Sequence, residues 1–100
     1  MTTALIVEPA AEEDILLAYR WYEERLVGLG LAFLESLDFT FSNILAHPYI
    51  YTEAIPGVRR SVTRAFPYLV FYACELNSVH ILAVIHAAQN PSYIATRLDA

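Results

Sequence analysis

The sequence predicts an α+β fold in which an N-terminal strand precedes an antiparallel two-helix hairpin, and the hairpin packs on one face of a three- to four-stranded antiparallel sheet. Three observations lead to this prediction. Apolar residues recur at helical spacing in the first half of the chain, and the second half carries alternating or continuous apolar runs typical of strands. The length of 100 residues suits one domain, which we expect to span residues 1–100.

The first two elements are predicted from a short apolar run and the charged, helical segment after it. Ala4–Val7 reads as a strand, and Pro9 suits the first turn of a helix because its missing N–H has no partner to lose there. The acidic run Glu12–Asp14 favours the positive end of that helix, so we expect these carboxylates to be solvated. The apolar stripe of the helix consists of Ile15, Tyr19, Tyr22 and Leu26.

A second helix is predicted over about Leu29–Ala46. Gly28 and Gly30 mark the break before it, and His47-Pro48 ends it. Because the turn between the helices is so short, the two should pack antiparallel.

The remaining half reads as strands followed by a short C-terminal helix. Val58–Arg64 alternates, whereas Tyr68–Glu75 and Val79–His86 are almost continuously apolar, as central strands are. Asn77-Ser78 suits a tight hairpin, and Ser92–Leu98 suits a terminal helix.

The two histidines of the last strand, His80 and His86, have the same parity. They should therefore lie on one face, roughly 20 Å apart along an extended strand, which is too far to act on one phosphate or bind one metal.

The composition is unusually apolar, with 57% hydrophobic and 17% charged residues. Such a chain buries enough surface to fold, which excludes intrinsic disorder. The apolar strand runs are about ten residues long, half of what a membrane-spanning helix needs, so no membrane span is expected. Because the hairpin covers only one face of the sheet, the C-terminal segment or another protein must cover the second face.

The charge balance constrains the partners. Six arginines and no lysine face eleven acidic residues, giving a net charge of −5, the opposite of what nucleic-acid binding favours. Arg59, Arg60 and Arg64 nevertheless form a small cationic patch. Cys74 is the only cysteine and no ligand spacing suggests a metal, so we expect no disulfide, metal or cofactor. The start Met1–Ala4 shows no secretory signal, and we expect a cytoplasmic protein.

Short motifs in a fixed order add a family resemblance that extends from about Leu5 to Arg97. The motifs are Ala11–Ile15, Trp21–Arg25, Gly28–Leu34, Ile44 with Pro48, Val58–Arg60, Ala65–Tyr72, and Val84–His86 followed by Asn90-Pro91. Together they resemble the RelE/ParE toxin superfamily of bacterial type II toxin–antitoxin systems. The Trp-Tyr-Glu and Phe-Pro-Tyr…Phe-Tyr motifs are more similar to the ParE branch.

The resemblance implies a toxin whose apolar surface is covered by a cognate antitoxin, with DNA contact only through that antitoxin. ParE-like members inhibit DNA gyrase by binding. RelE-like members cut messenger RNA on the ribosome with basic residues and a late tyrosine. The family typically carries arginine where this chain has Ala88 and Gln89, which favours the gyrase inhibitor. A RelE-like ribonuclease is the alternative, and a non-toxic relative that only binds an antitoxin-like partner is the second alternative.

Candidate residues follow for each function. Adjacent strand residues point to opposite faces, so Arg59 and Arg60 should serve different surfaces, and which serves which stays open. A metal-independent ribonuclease site would use Arg60, Arg64, His86 and Tyr93. Candidates for target binding are Arg59, Arg60, Arg64, Tyr93 and Arg97. Candidates for the antitoxin interface are Trp21, Tyr68, Tyr72, Val79 and Ile81.

Overall fold

The computed structural model describes residues 3–99. Met1 and Thr2, in the N-terminal segment where no secretory signal is expected, and Ala100, the last residue of the predicted domain, lie outside the described residues. The elements follow the predicted order, and the predicted α+β class is confirmed. They are β1 (Ala4–Val7), α1 (Pro9–Arg25), α2 (Leu29–Ala46), β2 (Glu53–Ile55), β3 (Val58–Val62), β4 (Tyr68–Glu75), β5 (Ser78–His86) and α3 (Pro91–Asp99).

The sheet has five strands in the order β1-β5-β4-β3-β2 and is mixed rather than purely antiparallel. β1 pairs parallel to β5, with Leu5 opposite Val79, and the other neighbours are antiparallel. β1 and β5 can pair in parallel because the helix hairpin and three strands separate them along the chain, and parallel strands need such a long connection. The three-residue β2 adds the further strand that the sequence pattern did not mark.

A β-bulge interrupts the pairing of β4 with β5. Phe71 lies opposite Ala83 but Tyr72 lies opposite Ile81, so Leu82 is the extra residue. One inserted residue exchanges the faces of all side chains that follow it. The prediction that His80 and His86 share a face is therefore wrong.

The main core lies between the hairpin and one face of the sheet. Aromatic and aliphatic side chains of α2, including Phe33 and Ile44, pack on Val70, Tyr72 and Ile81. On the second face, Phe71, Ala83 and Ile85 form a smaller cluster under Ile94 and Leu98 of α3. The sequence left two possible covers for this face, the C-terminal segment or another protein. The structure places the C-terminal segment, α3, on it.

The turn between the helices depends on glycine and on one carboxylate. Gly28 has a φ of 92°, a left-handed conformation that glycine adopts without strain. Its N–H donates to both Glu23 carboxylate oxygens at 3.1 and 3.0 Å, and the Gly30 N–H donates to Oε1 at 3.0 Å. Glu23 therefore satisfies backbone donors that the start of α2 would otherwise leave unpaired.

One helix, α2, is long and apolar enough to cross a membrane by length and composition. A helix that packs on a sheet meets the same criteria, and α2 buries Phe33, Leu37, Phe41 and Ile44 in the core. That packing accounts for these four apolar residues, whereas Leu31 and Phe39 of the same helix are 57% and 49% exposed.

Candidate functional site

The first of two candidate surfaces is a cavity of about 460 Å³ between α1, α3 and the end of β5, here called the α1–α3 cavity. Aromatic side chains from α1, β4 and α3 form part of its walls, and polar groups approach it from α1 and α3. The residues that line it include Asp14, Trp21, Tyr22, Tyr68, His86, Gln89, Tyr93 and Arg97.

Asp14 joins three elements at this cavity. Its carboxylate accepts two hydrogen bonds from the Arg97 guanidinium, at 2.9 and 2.7 Å, in a bidentate pair. It also accepts a hydrogen bond from the backbone N–H of Val84 at 3.0 Å. Val84 lies in β5 beyond Ile81, the last residue that pairs with β1. The hydrogen bonds to Asp14 raise the pKa of Arg97 above its ordinary range, with a further contribution from Tyr93.

This role was not predicted from the sequence, in which Asp14 follows Glu12 and Glu13 near the helix start and is expected to be solvated. The Asp14 side chain is only 13% exposed. Ala11 and Ala18, three residues before and four after it, are buried at 0% and 5% exposure. Small residues at that spacing indicate a closely packed helix face, and they are the signal that places Asp14 on it.

His86, Tyr93 and Tyr68 also reach the α1–α3 cavity. The His86 ring packs edge-on against Tyr68 at a centroid distance of 5.2 Å, and its Nδ1 accepts the N–H of Ala88 at 3.0 Å. The hydroxyl of Tyr93 accepts from Arg97 at 2.8 Å. Burial raises the pKa values of Tyr22 and Tyr68, so both phenols stay protonated near neutral pH.

The second candidate surface is a groove of about 410 Å³ along the outer edge of β3, here called the β3-edge groove. Arg60 and Arg64 line it together with Phe39 of α2 and Ile50 of the following loop. The Arg64 guanidinium carbon lies 5.3 Å from the Phe39 ring centroid, within cation–π range. The groove therefore combines positive charge with apolar surface.

Arg59 lies on the opposite face of β3 and has a structural role. Its guanidinium donates to the backbone oxygens of Tyr49 and Tyr51 at 3.2 and 2.6 Å, and it approaches Glu53 at 3.5 Å. These contacts hold the loop between α2 and β2 against the sheet. Arg60, not Arg59, therefore lies on the exposed surface, which answers the question that the sequence left open.

The four candidate catalytic residues divide between the two surfaces. Arg60 and Arg64 line the β3-edge groove, whereas His86 and Tyr93 line the α1–α3 cavity. Of the target-binding candidates, Arg97 is held by Asp14, while Arg60, Arg64 and Tyr93 are exposed.

Three of the five candidates for the antitoxin interface lie inside the core and correct that expectation. Tyr72, Val79 and Ile81 are 0–1% exposed, because they face the helix hairpin. The hydroxyl of Tyr72 donates to the Pro48 oxygen at 2.8 Å, and burial raises its pKa to about 12. Tyr68 is half-buried, and Trp21 is 50% exposed on α1.

The exposed apolar surface lies instead mainly on the helices and the adjoining loop. On α1, Leu16 and Leu17 are 46% and 56% exposed. Leu16 also borders a largely apolar groove of about 420 Å³ with Ile15, Tyr19 and Leu34. The apolar excess in the composition thus has its main exposed part on the hairpin rather than on the central strands.

Burial raises the pKa of the Cys74 thiol, which disfavours the thiolate that nucleophilic chemistry needs. Within residues 3–99, no three histidine, cysteine or carboxylate side chains cluster in a way that could hold a metal ion.

Comparisons with known proteins identify the family and the fold. The family model described as the ParE toxin of type II toxin–antitoxin system, parDE, matches residues 5–91. A structure of the chromosomal ParDE TA system from P. aeruginosa superposes with a TM-score of 0.75 at 15% identity, covering 85% of this chain and 96% of that one. The isolated E. coli RelE toxin superposes with a TM-score of 0.62 at 18% identity, covering 98% of both chains. At such identities the two structures establish the fold alone. Among curated proteins, no sequence matches this chain.

Proposed function

This chain belongs to the ParE toxin family of type II toxin–antitoxin systems, and from that membership we propose that it is a cytoplasmic toxin that inhibits DNA gyrase by binding. A cognate antitoxin neutralises it, and the toxin reaches DNA only through that antitoxin. The whole chain, residues 1–100, acts as one toxin domain.

The separation of the candidate catalytic residues supports binding over turnover. Metal-independent cleavage of RNA needs a base, an acid and a group that stabilises the phosphate, all around one phosphate. Here Arg60 and Arg64 line one surface while His86 and Tyr93 line another. Arg97, beside Tyr93, is already held in a bidentate pair with Asp14.

The net charge supports a protein target. A chain with a net charge of −5 is repelled by the phosphate backbone of a nucleic acid. Gyrase also presents protein surface, to which that repulsion does not apply. Arg60, Arg64 and Tyr93 are the target-binding residues of this proposal because their side chains are exposed. Arg59 and Arg97 serve the fold.

The antitoxin interface is proposed on the exposed apolar surface of α1. Trp21 and Leu17 lie one helical turn apart beside the α1–α3 cavity, and Tyr68 reaches the same cavity. An aromatic side chain that is half exposed at a cavity rim is a typical anchor for a partner.

Two assays test the proposal. Expression of the chain alone should arrest growth, and the purified protein should inhibit supercoiling by gyrase in vitro. Arg60→Ala and Arg64→Ala should weaken both effects, whereas Arg20→Ala, an exposed arginine on α1, should leave them unchanged. Growth arrest with cleaved messenger RNA and unimpaired supercoiling would reject the gyrase proposal.

A RelE-like ribonuclease is the second candidate function, because the E. coli RelE toxin shares the fold of this chain. It would use Arg60, Arg64, His86 and Tyr93, so His86→Ala should abolish ribosome-dependent cleavage. Ala88 and Gln89 stand where the family typically carries arginine, which weakens this candidate and is also compatible with a third, a relative that binds an antitoxin without being toxic. Absence of growth arrest on expression would identify that third case.

A further inference from the structure

The start of β5 carries a serine and a histidine on the face of the sheet that is turned away from the helix hairpin. Val79 and Ile81 are buried against the hairpin. The residues that alternate with them, Ser78 and His80, therefore lie on the other face. On that face α3 packs farther along β5, on the cluster that contains Ala83. Ser78 and His80 are half-buried, so both side chains reach solvent.

Three side chains in this region are connected by hydrogen bonds. The Nδ1 of His80 lies 2.7 Å from the Oε1 of Glu8, and its Nε2 lies 3.0 Å from the Oγ of Ser78. Because an ionised carboxylate can only accept, Nδ1 carries the ring hydrogen and donates it to Glu8. The Nε2 of the neutral ring is then left to accept the hydroxyl hydrogen of Ser78. The three residues have the geometry of a serine nucleophile, a general base and the carboxylate that orients the base.

The parallel pairing of β1 with β5 positions Glu8. Ile6 lies opposite His80, and the Glu8 N–H donates to the Ile81 oxygen at 3.0 Å. Glu8 keeps an extended backbone, with a φ of −67° and a ψ of 152°, so its side chain continues the alternation of β1 and lies on the same face as Ile6. Paired strands therefore hold the carboxylate in place, which fixes such a site more precisely than a loop would.

The surroundings of these residues limit the chemistry of a substrate. The Oε2 of Glu75 lies 3.7 Å from the Nε2 of His80, so two carboxylates flank the ring. Their charges stabilise the imidazolium that forms when His80 takes a proton, and they repel an anionic substrate. Ile6, beside His80 and 40% exposed, offers apolar surface to a small acyl group.

The turn before Ser78 supplies backbone donors. Within residues 3–99, the N–H groups of Leu76 and Asn77 donate to no backbone acceptor, and both residues are exposed. They are therefore available to donate to an oxygen that becomes negatively charged during attack by Ser78.

We propose that Ser78 is a nucleophile toward small, uncharged, activated acyl esters, with His80 as the general base and Glu8 as a positioning residue. The Oγ of Ser78 attacks the acyl carbonyl carbon while its proton passes to the Nε2 of His80. The bond to the leaving oxygen then breaks, and His80 returns the proton to that oxygen, which leaves an acyl group on Ser78. Water that gives its proton to His80 hydrolyses this ester, releases the carboxylic acid and restores the serine. The activity is separate from the proposed inhibition of gyrase.

The test measures hydrolysis of p-nitrophenyl acetate by the full-length chain, together with labelling by an alkyl fluorophosphonate, which forms a stable adduct with an activated serine. Peptide mass spectrometry should place the label on Ser78. Ser78→Ala should lose the label and release p-nitrophenolate about tenfold or more slowly. Ser92→Ala, which removes an exposed hydroxyl at the start of α3, is the matched control and should react like the unmodified chain. Circular dichroism checks that both variants are folded.

The role of Glu8 has a separate readout. Glu8→Gln keeps the size of the side chain but no longer stabilises the imidazolium, so kcat should fall about tenfold or more while KM stays unchanged. Glu13→Gln, at an exposed carboxylate of α1, is the control and should change neither constant. A kcat that Glu8→Gln leaves unchanged would show that Glu8 serves only the fold.

Two results would overturn the inference. If Ser78→Ala releases p-nitrophenolate as fast as the unmodified chain, the hydrolysis comes from other side chains. If the fluorophosphonate labels another residue or none, Ser78 is not activated, and its hydrogen bond to His80 only stabilises the start of β5.

Discussion

Replacing Asp14 by alanine tests whether one carboxylate joins α1, β5 and α3. The substitution removes the bidentate partner of Arg97, whose side chain is 20% exposed, and the acceptor of the Val84 N–H. A hydrogen bond to a charged group contributes about 1.5–3 kcal/mol, and a buried donor left unpaired costs about 1–3 kcal/mol. Arg97 can regain part of its hydration, so we expect the free energy of unfolding to fall by about 3 kcal/mol.

Urea denaturation followed by circular dichroism measures this loss. Asp14→Asn keeps an oxygen for the Val84 N–H but loses the charge, so it should lose only about half as much stability as Asp14→Ala. Glu13→Ala, at an exposed neighbouring position, should change the free energy of unfolding by less than about 0.5 kcal/mol. A double-mutant cycle with Arg97→Ala should show a coupling of about 1 kcal/mol or more, because the two side chains are in direct contact.

Two results would refute this reasoning. If Asp14→Ala is no more destabilising than Glu13→Ala, the carboxylate does not join the three elements. If the double mutant is additive, the Asp14–Arg97 pair does not contribute as a pair, and the loss then belongs to the Val84 N–H alone.

Three further predictions concern single positions. Between about pH 10 and about pH 12 the free energy of unfolding should decrease with rising pH, because Tyr72 ionises at a lower pH in the unfolded chain than in the folded chain. Tyr72→Phe should lose this component. An unchanged pH profile in that variant would exclude Tyr72 as its source. Gly30→Ala should destabilise by about 1–3 kcal/mol, because a Cβ would lie 2.7 Å from the Tyr19 ring and 2.9 Å from its backbone oxygen; a neutral result in urea denaturation would show that the helices can move apart. Ala65 has a φ of 66°, a left-handed conformation, so Ala65→Gly should raise the free energy of unfolding by up to about 1 kcal/mol. The control Ala95→Gly, inside α3, should lower it by about that amount. Equal losses at both sites would contradict a strained turn at Ala65.

Local sequence signals predicted most of the elements. The bounds of α2, Leu29–Ala46, and of β4, Tyr68–Glu75, agree with the expected ones because glycine, proline and a change of apolar period mark both ends. Tyr22, in the predicted apolar stripe of α1, packs on Phe33 and Phe66, while the adjacent Trp21 is half exposed. These features depend on residues that are neighbours along the chain.

The sites were less predictable, because they depend on pairing between distant segments. A single extra residue, Leu82, places His80 and His86 on opposite faces, and no local pattern announces it. His80 instead lies 2.7 Å from Glu8, at the start of α1, and 3.7 Å from Glu75, at the end of β4. The parity that predicted a shared face holds only while strand pairing is regular.

The sequence by itself therefore determined the class of the fold, the family and the positions of the helices, since each follows from residue spacing or from ordered motifs. Only the tertiary structure decided which apolar residues are available to a partner. Tyr72 and Ile81 are as apolar as an interface requires, but the hairpin packs on them, whereas Leu17 and Trp21 lie outside that contact. Whether a residue is buried depends on which segment packs against it, and the sequence of either segment alone does not specify that packing.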